Sequence, residues 1–329
     1  MQEGALRLGI LGAARIALGG IMPAASRSNA VEVVAVASRG GRKARDVREA
    51  APKATLFEEY EAFLEEAEIE AVYIPLPNSL HVEWTLKALE AGKHVLCEKP
   101  FSQDTEGAEK AVETAKSAGL LLMEGFMYRF HPQMVRLGEL LREGAVGGVR
   151  QAIAEFGHRI DDPEDVRILG SLGGGSLGDV GCYCVSGLRL AFGSEPRHAS
   201  AFGRFTEDGA DEEFAGILEF DGGTGLVSCG ASSARRERLE IVGTDGRITL
   251  DAPFRPDKAG GTMEIRRGEE ATTERFGESD PYRLELEEFA HAVREGRDPA
   301  VGPHEILGNA RAVEALLDSA RSGGNPREV

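Results

Sequence analysis

The sequence predicts an α/β fold in which a doubly wound parallel sheet is followed by an α+β domain with an open, mainly antiparallel sheet. In the first part of the chain, short apolar runs alternate with helical patterns, which is typical of βαβ units. From about Val149, longer alternating runs are separated by Asp-Gly and Gly-Gly turns, which favour antiparallel strands. The length of 329 residues suits two domains. We divide the chain into residues 1–125 and 126–329, with C-terminal helices that are able to pack back on the first domain.

The charge balance excludes some classes of partner. The chain has 55 acidic and 38 basic residues and a formal net charge of −17. Such a charge repels a nucleic-acid backbone and an anionic membrane surface. No apolar run approaches the roughly 20 residues that span a bilayer, and the N-terminus lacks a basic-then-apolar signal pattern. We expect a cytoplasmic protein that acts on a small molecule and binds neither nucleic acid nor membranes.

Four cysteines, Cys97, Cys182, Cys184 and Cys229, fit no spacing typical of a metal site. We therefore predict no metal ion, and reduced thiols that pack as small apolar side chains. A redox role for the pair Cys182 and Cys184 is the alternative.

The chain opens with a strand, a tight turn and a helix. Leu6–Leu11 has the pattern of a buried strand, and a helical stretch follows to about Ser26. Gly12, Ala14 and Ala17 occupy the three glycine positions of a degenerate Gly-x-Gly-x-x-Gly motif. Small residues there let the backbone and the helix N-terminus approach a pyrophosphate, which predicts a dinucleotide-binding Rossmann unit. A strand, turn and helix that bind nothing are the alternative.

The end of the second predicted strand, Val31–Ala37, lacks the acidic residue that usually selects NAD. Ser38 and Arg39 follow directly, and Lys43 lies a few residues further on. A hydroxyl and cations suit the 2′-phosphate of NADP, and Arg39 can stack on adenine while it donates to the phosphate. A solvated helix start is the alternative. The pattern favours NADP as cofactor over NAD.

Further βα units complete the first domain. Pro75 and Pro77 end the apolar run that begins at Ala71, so the chain turns out at the strand's C-terminal end, where ligands bind in such sheets. Asn78 or Ser79 is expected to cap the next helix, and His81 either reaches the site or lies in that helix's first turn. Other strands are predicted at 54–57, 94–97 and 120–124, and helices at 60–67 and 104–117.

The strand at 94–97 ends abruptly in Glu98, Lys99 and Pro100. Two ionisable groups therefore lie at the ligand-binding edge of the predicted sheet. A solvated ion pair that closes the strand is the alternative.

The second half of the chain predicts an open sheet. Such a sheet leaves one face uncovered, and a second copy of the chain is the expected cover. We therefore expect a homodimer, or a dimer of dimers, formed through the C-terminal sheet. The predicted strands are 151–158, 214–220, 224–232, 239–242 and 247–250, and the predicted helices are 176–191, 282–294 and 303–322.

Four motifs carry a resemblance to a known family. They are Gly12–Ala17, Ala91–Pro100, Gly173–Tyr183 and the pair Pro281-Tyr282, in matching order and spacing across nearly the full length. In these the chain resembles the glucose-fructose oxidoreductase, inositol dehydrogenase and MocA family of NAD(P)-dependent oxidoreductases. Within that family it most resembles the branch of dimeric dihydrodiol dehydrogenase, NADP-dependent xylose dehydrogenase and ketosugar reductases. Several members carry His where this chain has Tyr183.

The resemblance implies a set of cofactor contacts and a cis peptide before Pro100. Next to Gly12, the residues Ala13, Ala14, Arg15 and Ile16 would line the pyrophosphate, and Ser38, Arg39 and Lys43 would hold the adenosine phosphate. Leu76, Pro77, Asn78 and His81 would pass beside the riboses, Glu98 and Lys99 would lie at the nicotinamide, and Arg167 and Tyr282 would add contacts from the second domain.

The predicted proton chemistry involves Asp179 and Tyr183, which are four positions apart, so a helix places them on one face. Hydride transfer at a carbinol carbon needs a group that exchanges the hydroxyl proton. Tyr183 does so if its pKa falls from about 10 toward neutrality, which a nearby ammonium promotes by stabilising the phenolate. Lys99 is the predicted ammonium, and Asp179 is predicted to orient the substrate or Lys99. A buried structural tyrosine on an apolar helix is the alternative.

Three functions remain open from the sequence. The first is an NADP-dependent oxidoreductase for a sugar or polyol, of the aldose 1-dehydrogenase or ketosugar reductase type. The second is a trans-dihydrodiol dehydrogenase or dicarbonyl reductase, which a wide apolar pocket near Phe126, Met127 and Phe156 would favour. The third is a non-catalytic dinucleotide-binding regulator, which would need neither Lys99 nor Tyr183. Candidate substrate contacts are Arg129, His131, His158, Arg159 and the loop from Asp161 to Arg167, where Arg159 and Asp161 alternatively pair with each other.

Overall fold

The computed structural model describes residues 4–41, 43–256 and 260–329. The described residues form two compact units. Unit 1 comprises those up to residue 102 together with 106–127 and 280–307, and unit 2 comprises 103–105, those from 128 to 279, and 308–329. This grouping differs from a division at residue 125, because the segment 280–307 returns to unit 1.

Unit 1 is built on a six-stranded parallel sheet, as predicted. Its order is β3-β2-β1-β4-β5-β6, so the direction of strand addition reverses between β1 and β4. In open α/β sheets this switch point, at the carboxyl ends of the strands, is where ligands bind. The strands are β1 Leu6–Leu11, β2 Val31–Ala37, β3 Thr55–Phe57, β4 Ala71–Ile74, β5 His94–Glu98 and β6 Leu122–Gly125.

The helices follow the predicted alternation with two local differences. The stretch after Gly12 contains a π-helix, Ala17–Ile21, before α1 begins. Leu80, rather than Asn78 or Ser79, is the N-cap residue of α4, because a 3₁₀ turn at Asn78–Leu80 comes first. The helices of the chain are α1 Met22–Ser26, α2 Ala44–Ala50, α3 Tyr60–Glu66, α4 His81–Glu90, α5 Thr105–Ala118, α6 Pro132–Arg142, α7 Cys182–Phe192, α8 Pro281–Glu295 and α9 Pro303–Arg321.

Helix α8 explains why the segment 280–307 belongs to unit 1. It packs against α1, β2 and the π-helix at Ala17–Ile21. Its buried residues include Leu286 and Phe289, both without exposed surface, and an aromatic or leucine side chain contributes about 2 kcal/mol when it is buried.

Unit 2 contains a nine-stranded sheet in the order β14-β13-β12-β11-β7-β10-β9-β8-β15. Neighbouring strands are antiparallel except for β7 and β10, which pair in parallel. The sequence did not predict α6 or the strands β8, β13, β14 and β15. The strands are β7 Val149–Arg159, β8 His198–Phe205, β9 Asp211–Phe220, β10 Gly223–Gly230, β11 Ser232–Gly243, β12 Arg247–Asp251, β13 Gly261–Arg267, β14 Glu270–Phe276 and β15 Arg327–Glu328.

One face of the nine-stranded sheet is buried and the other is open. Along β9, Phe214, Gly216, Leu218 and Phe220 are buried, whereas the alternating residues Ala215, Ile217 and Glu219 are exposed. Helix α7 packs against β7 and β10 on the buried face, and the rings of Phe192 and Phe220 stack at a centroid distance of 4.1 Å. The alternation of period two thus sets which face of the sheet carries the core.

Candidate cofactor and catalytic sites

A cavity of about 510 Å³ lies in unit 1 beside Gly12. This volume is in the range of small-molecule sites. Eight of the predicted cofactor contacts line it, namely Gly12, Ala13, Ala14, Ser38, Arg39, Lys43, Leu76 and Pro77, together with Gly40, Tyr60 and Pro75. The other predicted contacts of unit 1 lie outside this lining, namely Arg15, Ile16, Asn78, His81, Glu98, Lys99 and Tyr282.

Gly12 directly follows β1 and has a backbone conformation that favours glycine. Its φ is +119°, and a Cβ atom at this position would lie 2.8 Å from Cδ2 of Leu76. A side chain at Gly12 would therefore strain the backbone and collide with the cavity wall. The helical residues begin at Arg15, so the turn over Ala13 and Ala14 leaves the start of a helix beside the cavity.

The end of β2 places cations on the cavity. The ammonium of Lys43 donates a hydrogen bond of 2.8 Å to the carbonyl oxygen of Ala13, and the guanidinium of Arg39 lies 5.3 Å from the centre of the Tyr60 ring. Ser38 is buried and directly precedes Arg39. Among the described lining residues there is no carboxylate, so this side of the cavity carries net positive charge in an otherwise acidic chain.

His81 holds two loops together inside unit 1. Its Nδ1 lies 2.8 Å from the carbonyl oxygen of Pro100, and its Nε2 lies 2.7 Å from that of Leu76. The side chain is fully buried, and burial lowers the pKa of the imidazole, while the two carbonyl contacts act in the opposite direction. His81 therefore fixes the turn after β4 against the turn after β5.

Three contacts fix the backbone around Lys99. The hydroxyl of Tyr73 donates a 2.6 Å hydrogen bond to Oε1 of Glu98, and the N–H of Phe101 donates one of 2.7 Å to Oε1 of Glu124. The third contact is that of His81 with the Pro100 carbonyl oxygen. The Lys99–Pro100 peptide bond is cis, which confirms what the resemblance implied. The half-buried Lys99 thus lies on a segment held on both sides.

Tyr282 belongs to unit 1 rather than to the second domain that the resemblance implied. It is the second residue of α8, and a Cβ atom added to Gly20 would lie 3.6 Å from its ring. The close packing of α8 on the π-helix is the physical reason for this placement.

In unit 2, a glycine-rich turn precedes the helix that carries Asp179 and Tyr183. Gly175 has a φ of +141°, and a Cβ atom there would collide with the carboxylate of Asp211. Asp211 accepts hydrogen bonds from the Ser176 hydroxyl and, at 2.7 Å, from the N–H of Leu177. It is almost fully buried, and burial raises its pKa. Asp211 therefore holds the start of this helix in place.

Asp179 lies in a π-helical turn, Leu177–Gly181, at the N-terminal side of α7. Its Oδ2 is 3.7 Å from Nε2 of His158 and 3.8 Å from Nη1 of Arg167. Arg167 Nη1 is 3.2 Å from the same imidazole nitrogen. Asp165 accepts two bonds of 2.9 Å from the Arg167 guanidinium, and these bonds, more than the charge of Asp179, raise the pKa of Arg167. The structure thus brings Asp179, His158 and Arg167 together.

Tyr183 lies in an aromatic cluster in unit 2. The centre of its ring is 5.5 Å from that of Tyr128, 5.6 Å from that of Phe156 and 5.8 Å from that of Phe254. Its exposed fraction is 6%. Aromatic neighbours at these distances fix the ring and lower the local polarity.

The other predicted substrate contacts differ in their exposure. His131 is buried, and its Nδ1 accepts a hydrogen bond from the N–H of Gln133 at the start of α6. Arg159 pairs with Asp161 on the surface, which is the alternative that the sequence left open. Arg129 is half-buried in a 3₁₀ turn after β6.

All four cysteines are free and buried. Burial raises the pKa of the Cys97, Cys184 and Cys229 thiols well above the ordinary value. In the part of the chain that the structure describes, no group of three or more His, Cys, Asp or Glu side chains is arranged for a metal ion. Across residues 4–41, 43–256 and 260–329, no helix is both long enough and apolar enough to cross a membrane.

Sequence reasoning missed Tyr60, Tyr73, Glu124 and Glu285. Tyr60 lines the cavity and its ring lies against the guanidinium of Arg39. Tyr73 and Glu124 form hydrogen bonds with Glu98 and Phe101 at the end of β5, and Glu285 is affected by the charge of Glu98. None of the four residues is part of a motif. The available signal was a polar side chain in an apolar strand, as for Tyr73 and Glu124, or on the apolar face of a helix, as for Tyr60 and Glu285, where a core residue is expected.

Two family models match the chain. The model described as "Oxidoreductase family, NAD-binding Rossmann fold" (GFO_IDH_MocA) matches residues 6–126, and the GFO/IDH/MocA C-terminal domain model matches residues 134–249. Together they span most of the sequence and both predicted halves.

Similar proteins include two curated relatives and one solved structure. The chain is 36% identical to D-xylose 1-dehydrogenase (NADP(+)) 2 of Haloferax volcanii over 97% of this chain and 98% of that protein. It is 34% identical to trans-1,2-dihydrobenzene-1,2-diol dehydrogenase of Mus musculus over 77% and 76%. A 3-ketoreductase from Actinomadura kijaniata, solved in complex with NADP and TDP-benzene, superposes with a TM-score of 0.88 at 32% identity, over 97% of this chain and 98% of that one. By the two domain matches and these full-length similarities, the chain belongs to the GFO/IDH/MocA family of oxidoreductases.

Proposed function

We propose that this protein is an NADP-dependent oxidoreductase that transfers a hydride between the nicotinamide and a carbinol or carbonyl carbon of a sugar or polyol. The observation that carries the proposal is the cavity beside Gly12, which Arg39 and Lys43 line without a described carboxylate. Of the similar proteins, the xylose dehydrogenase is named as an NADP(+) enzyme, and the 3-ketoreductase was solved in complex with NADP.

The residues of the cavity fit the adenosine and pyrophosphate half of NADP. Gly12 leaves free a space that a Cβ atom would fill, and the turn over Ala13 and Ala14 leads into a helix N-terminus that suits a pyrophosphate. Arg39, which lies against the Tyr60 ring, and Lys43 would hold the 2′-phosphate. When bound, the nicotinamide supplies the site that accepts or donates the hydride.

Lys99 would act as the fixed cation of the reaction. The contacts of Glu98, Pro100 and Phe101 hold its backbone, so its ammonium is presented from a rigid strand end, which general acid–base and electrostatic catalysis both require. We assign it two roles: it donates a hydrogen bond to the substrate oxygen, and it stabilises the phenolate of Tyr183.

Tyr183 would move the proton. In the oxidation direction its phenolate accepts the substrate hydroxyl proton, and in the reduction direction its phenol donates a proton to the carbonyl oxygen. Asp179, which lies between His158 and Arg167, would orient the substrate by accepting from a hydroxyl. The pairing of Lys99 with Tyr183 rests on this chemistry and on the order of the motifs.

A sugar or polyol is favoured over an aromatic diol as the substrate class. A wide apolar pocket near Phe126, Met127 and Phe156 would favour the second function. These side chains have exposed fractions of 1%, 1% and 4%, so they are core residues of their units. The polar group of Asp179, His158 and Arg167 suits the several hydroxyls of a sugar better.

The proposal includes a homodimer, or a dimer of dimers, formed through the open face of the nine-stranded sheet, in the cytoplasm. Phe202 and Ile217 on this face are 67% and 47% exposed, and Leu226 and Ile153 continue the row across β10 and β7. A contiguous apolar strip on a sheet is typical of an interface.

The test is an absorbance assay of NADP⁺ reduction with aldoses, polyols and trans-dihydrodiols, and of NADPH oxidation with ketosugars and dicarbonyls. Turnover with a sugar or polyol is expected. Turnover only with diols or dicarbonyls, or none with any substrate together with no NADP binding, would contradict the proposal.

A further inference from the structure

Glu285 on α8 is a carboxyl group buried inside unit 1. Its exposed fraction is 0%, and within the described residues neither of its oxygens has a hydrogen-bond partner. An ionised carboxylate without donors in a protein interior is very unfavourable, so such a group keeps its proton. The position of this side chain therefore already disfavours its charged form.

Among the described residues, no cation is found to act on the Glu285 carboxyl group. On the sheet, Glu98 adds a negative charge near Glu285. The hydroxyl of Tyr73 donates its hydrogen bond to Glu98, at 2.6 Å, and not to Glu285. The two arginines of α8 form ion pairs with other carboxylates, Arg283 with Glu287 and Arg294 with Glu70, and Arg27, which follows α1, pairs with Asp280.

Burial and the charge of Glu98 raise the pKa of Glu285 well above its ordinary value. Burial, the charge of Glu98 and the hydrogen bond to Glu98 also raise the pKa of Tyr73, so the phenol stays a donor. The short bond from Tyr73 to Glu98 is typical of a hydroxyl that donates to a carboxylate. Three acidic groups thus share one negative charge, and Glu98 carries it.

We propose that Glu285 is a neutral carboxylic acid at physiological pH and a positioning residue for Glu98. It leaves the negative charge of this cluster on Glu98, next to Lys99. Ionisation of Glu285 would place a second buried charge near Glu98 and disturb the strand end that holds Lys99. This role goes beyond the proposed function and does not depend on it.

The first test uses cofactor-free protein. Glu285→Gln replaces the neutral acid by an isosteric amide that cannot ionise, and Glu287→Gln removes a carboxylate of the same helix that accepts from Arg283 at 3.0 Å. In infrared difference spectra at neutral pH, the wild type and Glu287→Gln are expected to show a protonated-carboxyl band that Glu285→Gln lacks. If Glu285→Gln showed the same protonated-carboxyl bands as the wild type, the proposal would be overturned.

The second test is thermal unfolding as a function of pH. Folding raises the pKa of Glu285. At pH values between the pKa of the unfolded state and that of the folded state, Glu285 is protonated in the folded protein and ionised in the unfolded chain. The wild type therefore loses stability as pH rises through this range. The melting temperature of Glu285→Gln relative to the wild type is therefore expected to increase by on the order of 2 °C per pH unit as pH rises above about 5, until the folded-state pKa of Glu285 is reached. A difference that stays constant or decreases would overturn the proposal, and Glu287→Gln should show no such increase.

The positioning role is tested with a substrate of the wild-type enzyme. At neutral pH, Glu285→Gln is expected to keep kcat and the KM for cofactor within about threefold, and to keep more of its activity than the wild type at alkaline pH. An alkaline limb of the pH–activity profile that is the same in Glu285→Gln as in the wild type would overturn the positioning role. Because the first two tests need neither cofactor nor substrate, failure of the proposed function leaves them readable.

Discussion

The ammonium of Lys43 donates a hydrogen bond to the carbonyl oxygen of Ala13, so the end of β2 is tied to the turn that follows β1. The two segments are 30 residues apart in the chain. This bond brings the predicted phosphate-binding cations to the glycine turn and gives them a fixed place on the same cavity.

Arg39→Ala is expected to weaken NADP(H) binding by about 30-fold, because a charge-assisted hydrogen bond to a phosphate contributes about 2 kcal/mol. NAD(H) lacks the 2′-phosphate, so its affinity should change by less than about threefold. Titration calorimetry or fluorescence with both cofactors measures this. Arg48→Ala, an exposed arginine of α2, is the matched control. Equal losses for NADP and NAD, or tighter NAD binding by the wild type, would contradict the assignment.

Lys99→Met and Tyr183→Phe should each lower kcat by about 10²-fold or more and keep cofactor affinity within a few-fold, because each removes a group of the proton-transfer step. The double variant should be little worse than the poorer single variant, since the two groups act as a unit. Steady-state kinetics with a substrate of the wild type provides the measurement.

Two controls accompany these variants. Lys93→Met removes a lysine whose ammonium donates to the Ile69 carbonyl oxygen near the start of β5, and Tyr128→Phe removes a hydroxyl that bonds to Ser186 beside the Tyr183 ring. Both should remain within about threefold of wild-type kcat. Near-wild-type activity of Lys99→Met or Tyr183→Phe would show that the proposed mechanism is wrong.

His81→Ala should lower the free energy of unfolding by about 2 kcal/mol, because the buried ring and its contacts with Leu76 and Pro100 are lost. Since the folded-state pKa of His81 is lowered, its stabilisation is fully present above the unfolded pKa of about 6.5 and decreases as pH falls below it. Thermal melts of the wild type and His81→Gln at pH 7.5 and pH 5.5 test this. A wild-type advantage that grows on acidification would mean that an imidazolium donates to both carbonyls.

Ile217→Arg and Phe202→Asp should convert the proposed dimer into a monomer, because each places a charge in the exposed apolar row of β8 and β9. Analytical ultracentrifugation or light scattering reports the mass. Val135→Arg on α6 is the control, since Val135 is also about half exposed but lies away from that row. A wild-type monomer, or a dimer that survives both charges, would contradict the interface.

The sequence by itself determined the parallel sheet and the chain order of its motifs. The β1, β2, β5 and β6 strands lie within two residues of their predicted positions, because buried parallel strands are continuous apolar runs bounded by turn residues. The eight cavity residues from Gly12 to Pro77 could also be predicted, since they lie within six residues after the ends of β1, β2 and β4, whose carboxyl ends meet at one edge of the sheet.

Tertiary structure alone decided the features that depend on distant segments. The strands β13 and β14, at one end of the nine-stranded sheet, and the parallel pair β7 and β10 exist through pairing, and local patterns do not encode pairing. The return of α8 to unit 1 places Glu285 near the charge of Glu98, 187 positions earlier by residue number. Whether a glutamate is a surface charge or a buried neutral acid depends on its desolvation and on its neighbours, and folding fixes both.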